Sequence, residues 1–124
     1  MDGDKNVLKL IMDGLIANGI KVYVPGGKFS QAKDKYVVVK FAGSGKAKTY
    51  STEKDLYNIM LYVPKNQYTE LPDFESEVRR VLDTPPLFPM IMPLGQTEND
   101  YFDDNIDAHL RIIRYYNYRR NKHL

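Results

Sequence analysis

Two stretches of the chain place residues at spacings that chemistry uses. Gly43-Ser44-Gly45-Lys46 has glycines that would let backbone N–H groups surround a phosphate, and a lysine to add charge. The phosphate-loop pattern also requires Gly where Lys40 stands, Ser or Thr where Ala47 stands, and a helix opening there. The residues after Lys46 read as loop and strand, so the tetrad is expected to belong to a hairpin connection. Asp103-x-Asn105-x-Asp107 matches the first three ligand positions of a calcium loop, but Ala108 replaces the sharp-turn glycine and Arg114 the bidentate glutamate. A plain acidic loop is expected. His109 and His123 are the only histidines, and neither has a His or Cys at ligand spacing. His109 reads as an exposed strand position and His123 as terminal tail. With no cysteine there is no disulfide, thiolate metal site or thiol nucleophile. No G-x-S-x-G occurs, so the sequence supports no catalysis and no cofactor.

A different chemistry is suggested by Arg111-Ile112-Ile113-Arg114-Tyr115-Tyr116-Asn117-Tyr118-Arg119-Arg120-Asn121-Lys122, where basic and aromatic residues interleave. Single-strand nucleic-acid binders combine base stacking with phosphate neutralisation in this way. Tyrosine at a period of two is also ordinary strand composition. The segment therefore supports nucleic-acid binding only as an alternative reading.

Elements must hold these residues, and 124 residues are enough for one domain with a sizeable core. A composition 43% hydrophobic and 27% charged argues against wholesale disorder. Ten tyrosines and no tryptophan stand out, because an apolar ring with a polar tip suits a surface buried in one state and wet in another. Net charge is only +2, but it is unevenly distributed. Eight lysines lie from Lys21 to Lys54 against Asp34 and Glu53, five acids from Glu98 to Asp107, and five basic residues from Arg111 onward. Opposed patches favour contact between copies, although each also reads as a solvated loop. No stretch approaches the roughly 20 apolar residues of a membrane span, and Met1-Asp2-Gly3-Asp4 opens no signal peptide. A protein that is cytoplasmic where it is made is expected, without a membrane partner.

The organising unit runs from Leu56 to Leu82. Tyr57, Ile59, Leu61 and Val63 line one face of a strand and Leu56, Met60 and Tyr62 the other, ahead of a helix carrying Phe74, Val78, Val81 and Leu82. One sheet face takes the helices; the other needs a partner. Around this unit the sequence predicts a helix from Asn6 to Ala17, capped by Asp4 and closed by Asn18-Gly19. Strands are predicted at Ile20–Val24 and Tyr36–Phe41, followed by a long connection from Ala42 to Lys54. After Thr84-Pro85-Pro86, a proline-interrupted edge strand is expected within Leu87–Leu94, then an acidic loop, Gly95–Asn105, and a last strand, Ile106–Tyr118, with a bulge at Ile113-Arg114. The expected architecture is a single α+β domain over residues 1–124, with 119–124 as tail. Its mainly antiparallel four- to five-stranded sheet carries two helices packed on one face.

This layout resembles the tail terminator or tail completion proteins of long-tailed bacteriophages, which take part in head-tail joining. The resemblance lies in the helix ending Asn18-Gly19-Ile20, the strand Tyr36 to Phe41, the unit Asp55 to Val63 through Phe74 to Leu82, and the final strand. The Pro85–Pro93 segment and the basic tail fit no pattern of the family. The resemblance implies a structural phage or prophage protein. It would form a homo-oligomeric ring, usually a hexamer, that caps the tail tube and offers a surface to the head completion protein, with DNA passing nearby. It would reside in the virion tail and, during assembly, in the host cytoplasm. On that reading the surfaces expected to meet neighbouring subunits or the tube are Lys46, Lys48, Tyr50, Tyr57, Tyr62, Tyr115, Tyr116, Tyr118, Arg119 and Arg120.

Overall fold

A computed structural model describes residues 6–26, 33–46, 52–95 and 99–120. Asp4, the expected helix cap, and His123 lie outside them. The element order is α1 (Val7–Ala17), β1 (Val22–Tyr23), β2 (Tyr36–Lys46), β3 (Thr52–Pro64), a 3₁₀ segment (Lys65–Glu70), α2 (Leu71–Leu82), a short helical turn α3 (Leu87–Met90), β4 (Met92–Pro93), β5 (Tyr101–Asp103) and β6 (Ala108–Arg120). The fold is α+β, with a six-stranded mixed sheet and three helices among the described residues. The strand order is β1-β2-β3-β6-β4, and β5 shares the outer edge of β6 with β4. β1 pairs parallel with β2, and every other pairing is antiparallel.

Capping geometry sets both ends of α1. Asn6, not Asp4, is the N-cap, its Oδ1 accepting from the Lys9 N–H at 3.0 Å. At the other end Gly19 takes φ +82°, and Ile20 N–H bonds Leu15 C=O while Gly19 N–H bonds Ile16 C=O. With Asn18 N–H also bonding Leu15 C=O, these bonds satisfy carbonyls of the last turn. Gly14, mid-helix, makes room for a neighbour: a Cβ there would lie 2.9 Å from Leu87 Cδ1. The glycine weakens the helix locally and lets α3 close on it.

All three helices lie on one side of the sheet. Ile11 and Leu15 of α1, Leu71, Phe74, Val78 and Leu82 of α2, and Leu87 pack against Val37, Val39, Ile59, Leu61, Val63, Ile113 and Tyr115. These positions are essentially free of solvent, so the hydrophobic stabilisation is concentrated here.

Several expectations are corrected. The connection predicted from Ala42 to Lys54 is mostly strand: β2 runs on to Lys46 and β3 begins at Thr52, so Gly43-Ser44-Gly45-Lys46 pairs with Leu56, Asp55, Lys54 and Glu53. A bulge at Ala42, between Phe41 and Gly43, carries the extra residue, and Gly43 accommodates it at φ +107°. No bulge interrupts β6, whose register with β3 is continuous from Ala108 to Arg120. The edge strand within Leu87–Leu94 shrinks to Met92–Pro93, preceded by a helical turn containing Pro89. The acidic loop contains a strand, β5, where none was expected. Strand Ile20–Val24 shortens to Val22–Tyr23.

Candidate functional site

Side chains alternate across a strand, and here the alternation sorts chemistry by face. In β3 the odd positions from Asp55 to Val63 are buried, those from Tyr57 onward beneath the helices, while Leu56, Asn58, Met60 and Tyr62 are half-buried on the opposite face. The register carries the same division into β6. Leu56, Asn58, Met60 and Tyr62 face Tyr116, Arg114, Ile112 and Leu110 in turn.

Beyond the helices, β2, β3 and β6 continue as a three-stranded arm whose two faces differ in charge. On the helix side Ser44 Oγ donates to Asp55 Oδ1 at 2.6 Å, Arg119 Nε donates to Asp55 Oδ2 at 2.9 Å, and Arg119 Nη1 reaches Glu53 Oε1 at 3.0 Å. These charges satisfy one another. Asn117, buried beside Asp55, has an Oδ1 with no hydrogen-bond partner among the described residues. The open face of the arm carries Lys40, Lys54, Arg114, Tyr116 and Tyr118, and no carboxylate among the described residues. Lys54 Nζ lies 4.4 Å from the Tyr116 ring centroid, Tyr116 and Tyr118 meet edge to face at 5.3 Å, and Arg114 Nε donates to Asn58 Oδ1 at 3.0 Å. Tyr118 is 54% exposed.

The opposite end of the same face has another character. Tyr36 is buried and stacks on Tyr62 at 4.8 Å, with Val38, Ala108, Tyr23 and Ile106 around them. Burial pushes the Tyr62 hydroxyl up to about 12, aided by Tyr101 and by the negative charge of Asp103. Asp103 pairs with Ala108 at the tip of β5, and its Oδ1 accepts from the Asn105 N–H at 3.0 Å, which closes the acidic turn. The carboxylate therefore serves the turn's own backbone. Asp107, at the third position of the calcium-like pattern, takes φ +50°. Among the described residues no group of three His, Asp or Glu is arranged to hold a metal.

The helix-covered side holds a connected set of charges. Arg111 forks onto Asp100 through Nε and Nη2, both at 2.8 Å, and reaches Glu75 Oε1 at 3.0 Å; Glu75 Oε2 accepts from Arg79 Nε at 2.7 Å. Arg79 Nη1 donates to the Tyr115 hydroxyl at 3.2 Å, and that hydroxyl donates to Asp83 Oδ1 at 2.9 Å. The Arg111 hydrogen bonds hold the Asp100 carboxyl below its ordinary range, against the opposing effect of burial. The set binds α2 to β6 and anchors the acidic segment. His109 sits beside it, its Nε2 at 3.0 Å from Lys65 O and its ring between Tyr68 and Phe102, rather than at an open strand position.

The residues singled out from sequence are thus divided. Tyr116 and Tyr118 lie on the open face, and Tyr62 is half-buried on it. Tyr57 and Tyr115 are inside the subunit's own core, and Arg119 is engaged by Asp55 and Glu53. Lys46 and Arg120 pair through their backbones with Glu53 and Thr52, while Lys48 and Tyr50 lie outside the described residues. Of the cations on this face, the sequence placed Arg114 in the basic, aromatic stretch and Lys54 at the end of the long connection, and did not mark Lys40. Their common face was encoded in the period of two, once the register of β2, β3 and β6 is known. A groove of about 980 Å³ runs between α1, the end of α2 and α3, lined by Leu10, Gly14, Val81, Pro86, Leu87 and Met90. At its rim Lys9 and Asp13 pair with each other at 2.8 Å.

No helix among the described residues is long and apolar enough to cross a membrane. No protein-family model matches the chain, and no curated protein sequence matches it.

Proposed function

We propose that this chain is a structural subunit of a bacteriophage tail, one that assembles with copies of itself into a ring, caps the tail tube and presents a surface for head joining. The observation carrying this reading is the open sheet face. Leu56, Met60, Ile112 and Tyr116 are left half-buried by a subunit whose three helices all pack on the other side. Apolar area of that kind, ringed by polar groups, is characteristic of surfaces reserved for another protein. The tail terminator resemblance in the sequence also supports this reading, and the role requires no catalysis. Its partners are further copies, the tube subunit and a head completion protein, in the virion tail. The test is to co-express the chain with a phage tail-tube subunit and to view the products by electron microscopy. Tubes of limited length with ring density at one end are expected; tubes that lengthen unchanged, with bare ends, would refute the reading.

One observation favours a second reading, a surface for single-stranded nucleic acid. Lys40, Lys54 and Arg114 surround Tyr116 and Tyr118 with no carboxylate on that face of the arm among the described residues. Against it, Arg111, Tyr115 and Arg119 of the same strand point to the helix side and are already paired. A labelled oligonucleotide bound with steep salt dependence would favour this reading over the first.

A further inference from the structure

We propose that the open face of β2, β3 and β6 is a docking surface for a second copy of this chain, with the acidic β5 turn of one copy seated on the basic arm of the other. The inference rests on the assembly reading above and names the contact it would use.

Acidic charge lies at the start of one strand and basic charge from its middle onward. β6 has 13 residues, and at about 3.4 Å per residue its ends are about 40 Å apart. Asp103 and Asp104 lie where β6 begins; Arg114, level with Lys40 across Asn58, lies at its middle, about 20 Å along, and Lys54, opposite Tyr118, lies towards its far end. Screening at physiological salt acts over about 8 Å. The two ends of one molecule therefore do not neutralise each other, and a neighbour can satisfy both. Between the acidic start and the Lys40–Asn58–Arg114 row the face is apolar through Met60 and Ile112, and Leu56 and Tyr116 lie between that row and Lys54. An interface in which apolar and charged rows alternate results if a second copy supplies the opposite sign to the acidic start and to the basic rows. The acids on the arm itself do not compete, because Glu53 and Asp55 are on the other side, held by Arg119. A polyanion would satisfy only the basic half and would meet repulsion at the β5 end. The second copy satisfies both.

The test reverses charge at each end separately and then recombines the variants. Lys40→Glu with Lys54→Glu reverses the arm and leaves the Arg114–Asn58 hydrogen bond in place. Asp103→Asn with Asp104→Lys reverses the turn and keeps an oxygen to accept the Asn105 N–H. Self-association is measured by sedimentation velocity across a concentration series, with circular dichroism confirming that each variant is folded. Wild type is expected to associate, and more weakly as salt rises. Each variant alone should lose roughly tenfold or more in affinity, and an equimolar mixture should recover to within about threefold of wild type. Wild type that stays monomeric, folded variants that associate like wild type, or a mixture that does not recover would each overturn the proposal. Loss of oligonucleotide binding in the arm variant with unchanged self-association would overturn it in favour of nucleic acid. Recovery in the mixture as closed pairs only would uphold this contact and refute the ring reading.

Discussion

Ile112 and Ile113 are neighbours on one strand with different surroundings. Ile113 is fully buried beneath the helices, opposite Ile59; Ile112 is half-buried on the open face, opposite Met60. One residue type, one strand and one partner strand thus serve two purposes. On the helix side each apolar group is matched by the chain itself, and even the charges form a closed set from Asp100 through Arg111 to Asp83. On the other side the match is incomplete. The difference teaches that alternation along β6 puts apolar residues on both faces, and that this chain's own helices cover only one of them.

Substitution can separate the two faces. Ile113→Ala should cost about 2–5 kcal/mol in denaturant unfolding, since it leaves a cavity in packed surroundings. Ile112→Ala should cost about 1 kcal/mol or less in the monomer while weakening self-association. Equal losses of monomer stability would mean that the open face is as well covered as the helical one. Next in size, Arg111→Ala should cost about 1–3 kcal/mol, because Asp100 and Glu75 lose their shared partner in a half-buried place. No measurable loss would reduce that set of charges to a surface ornament. The smallest effect is in acid. Asp100 has a depressed carboxyl pKa in the folded state, so its contribution is fully present above about pH 4 and fades as pH falls below that. The stability gap between wild type and Asp100→Asn should therefore hold steady from about pH 6 to about pH 4 and narrow as pH falls below that. A gap that stays constant would show that the carboxylate charge is not what Arg111 holds.

How much of the molecule could be read from sequence depends on the range of the interactions involved. The helix from Val7 to Ala17 and its close at Gly19 are local, written in a stripe of apolar residues and a glycine, and were legible. The core face of β3 was legible because burial beneath helices imposes a strict period. The arm was not. Gly43-Ser44-Gly45 has poor strand propensity, and only its pairing with Lys54–Leu56 makes it strand, so tertiary context overrode local preference. β5 is three residues long, too short to show a period, and the helical turn at Leu87–Met90 is hidden by Pro89. The candidate surface was half legible. Tyr116 and Tyr118 announced themselves, but separating them from Tyr115 and Arg119 required the register, and no local pattern marks Lys40 as their neighbour.

Finally, β6 lies inside the sheet, between β3 on one side and β4 with β5 on the other, yet it is the last of the described strands to be synthesised. Pro64 waits for Ala108 and Thr52 for Arg120, so the hydrogen-bond ladder of β3 remains one-sided until translation has passed Arg120. Such long-range pairing slows folding, and a nascent chain stalled earlier exposes an unpaired, apolar strand edge of the kind that recruits other chains.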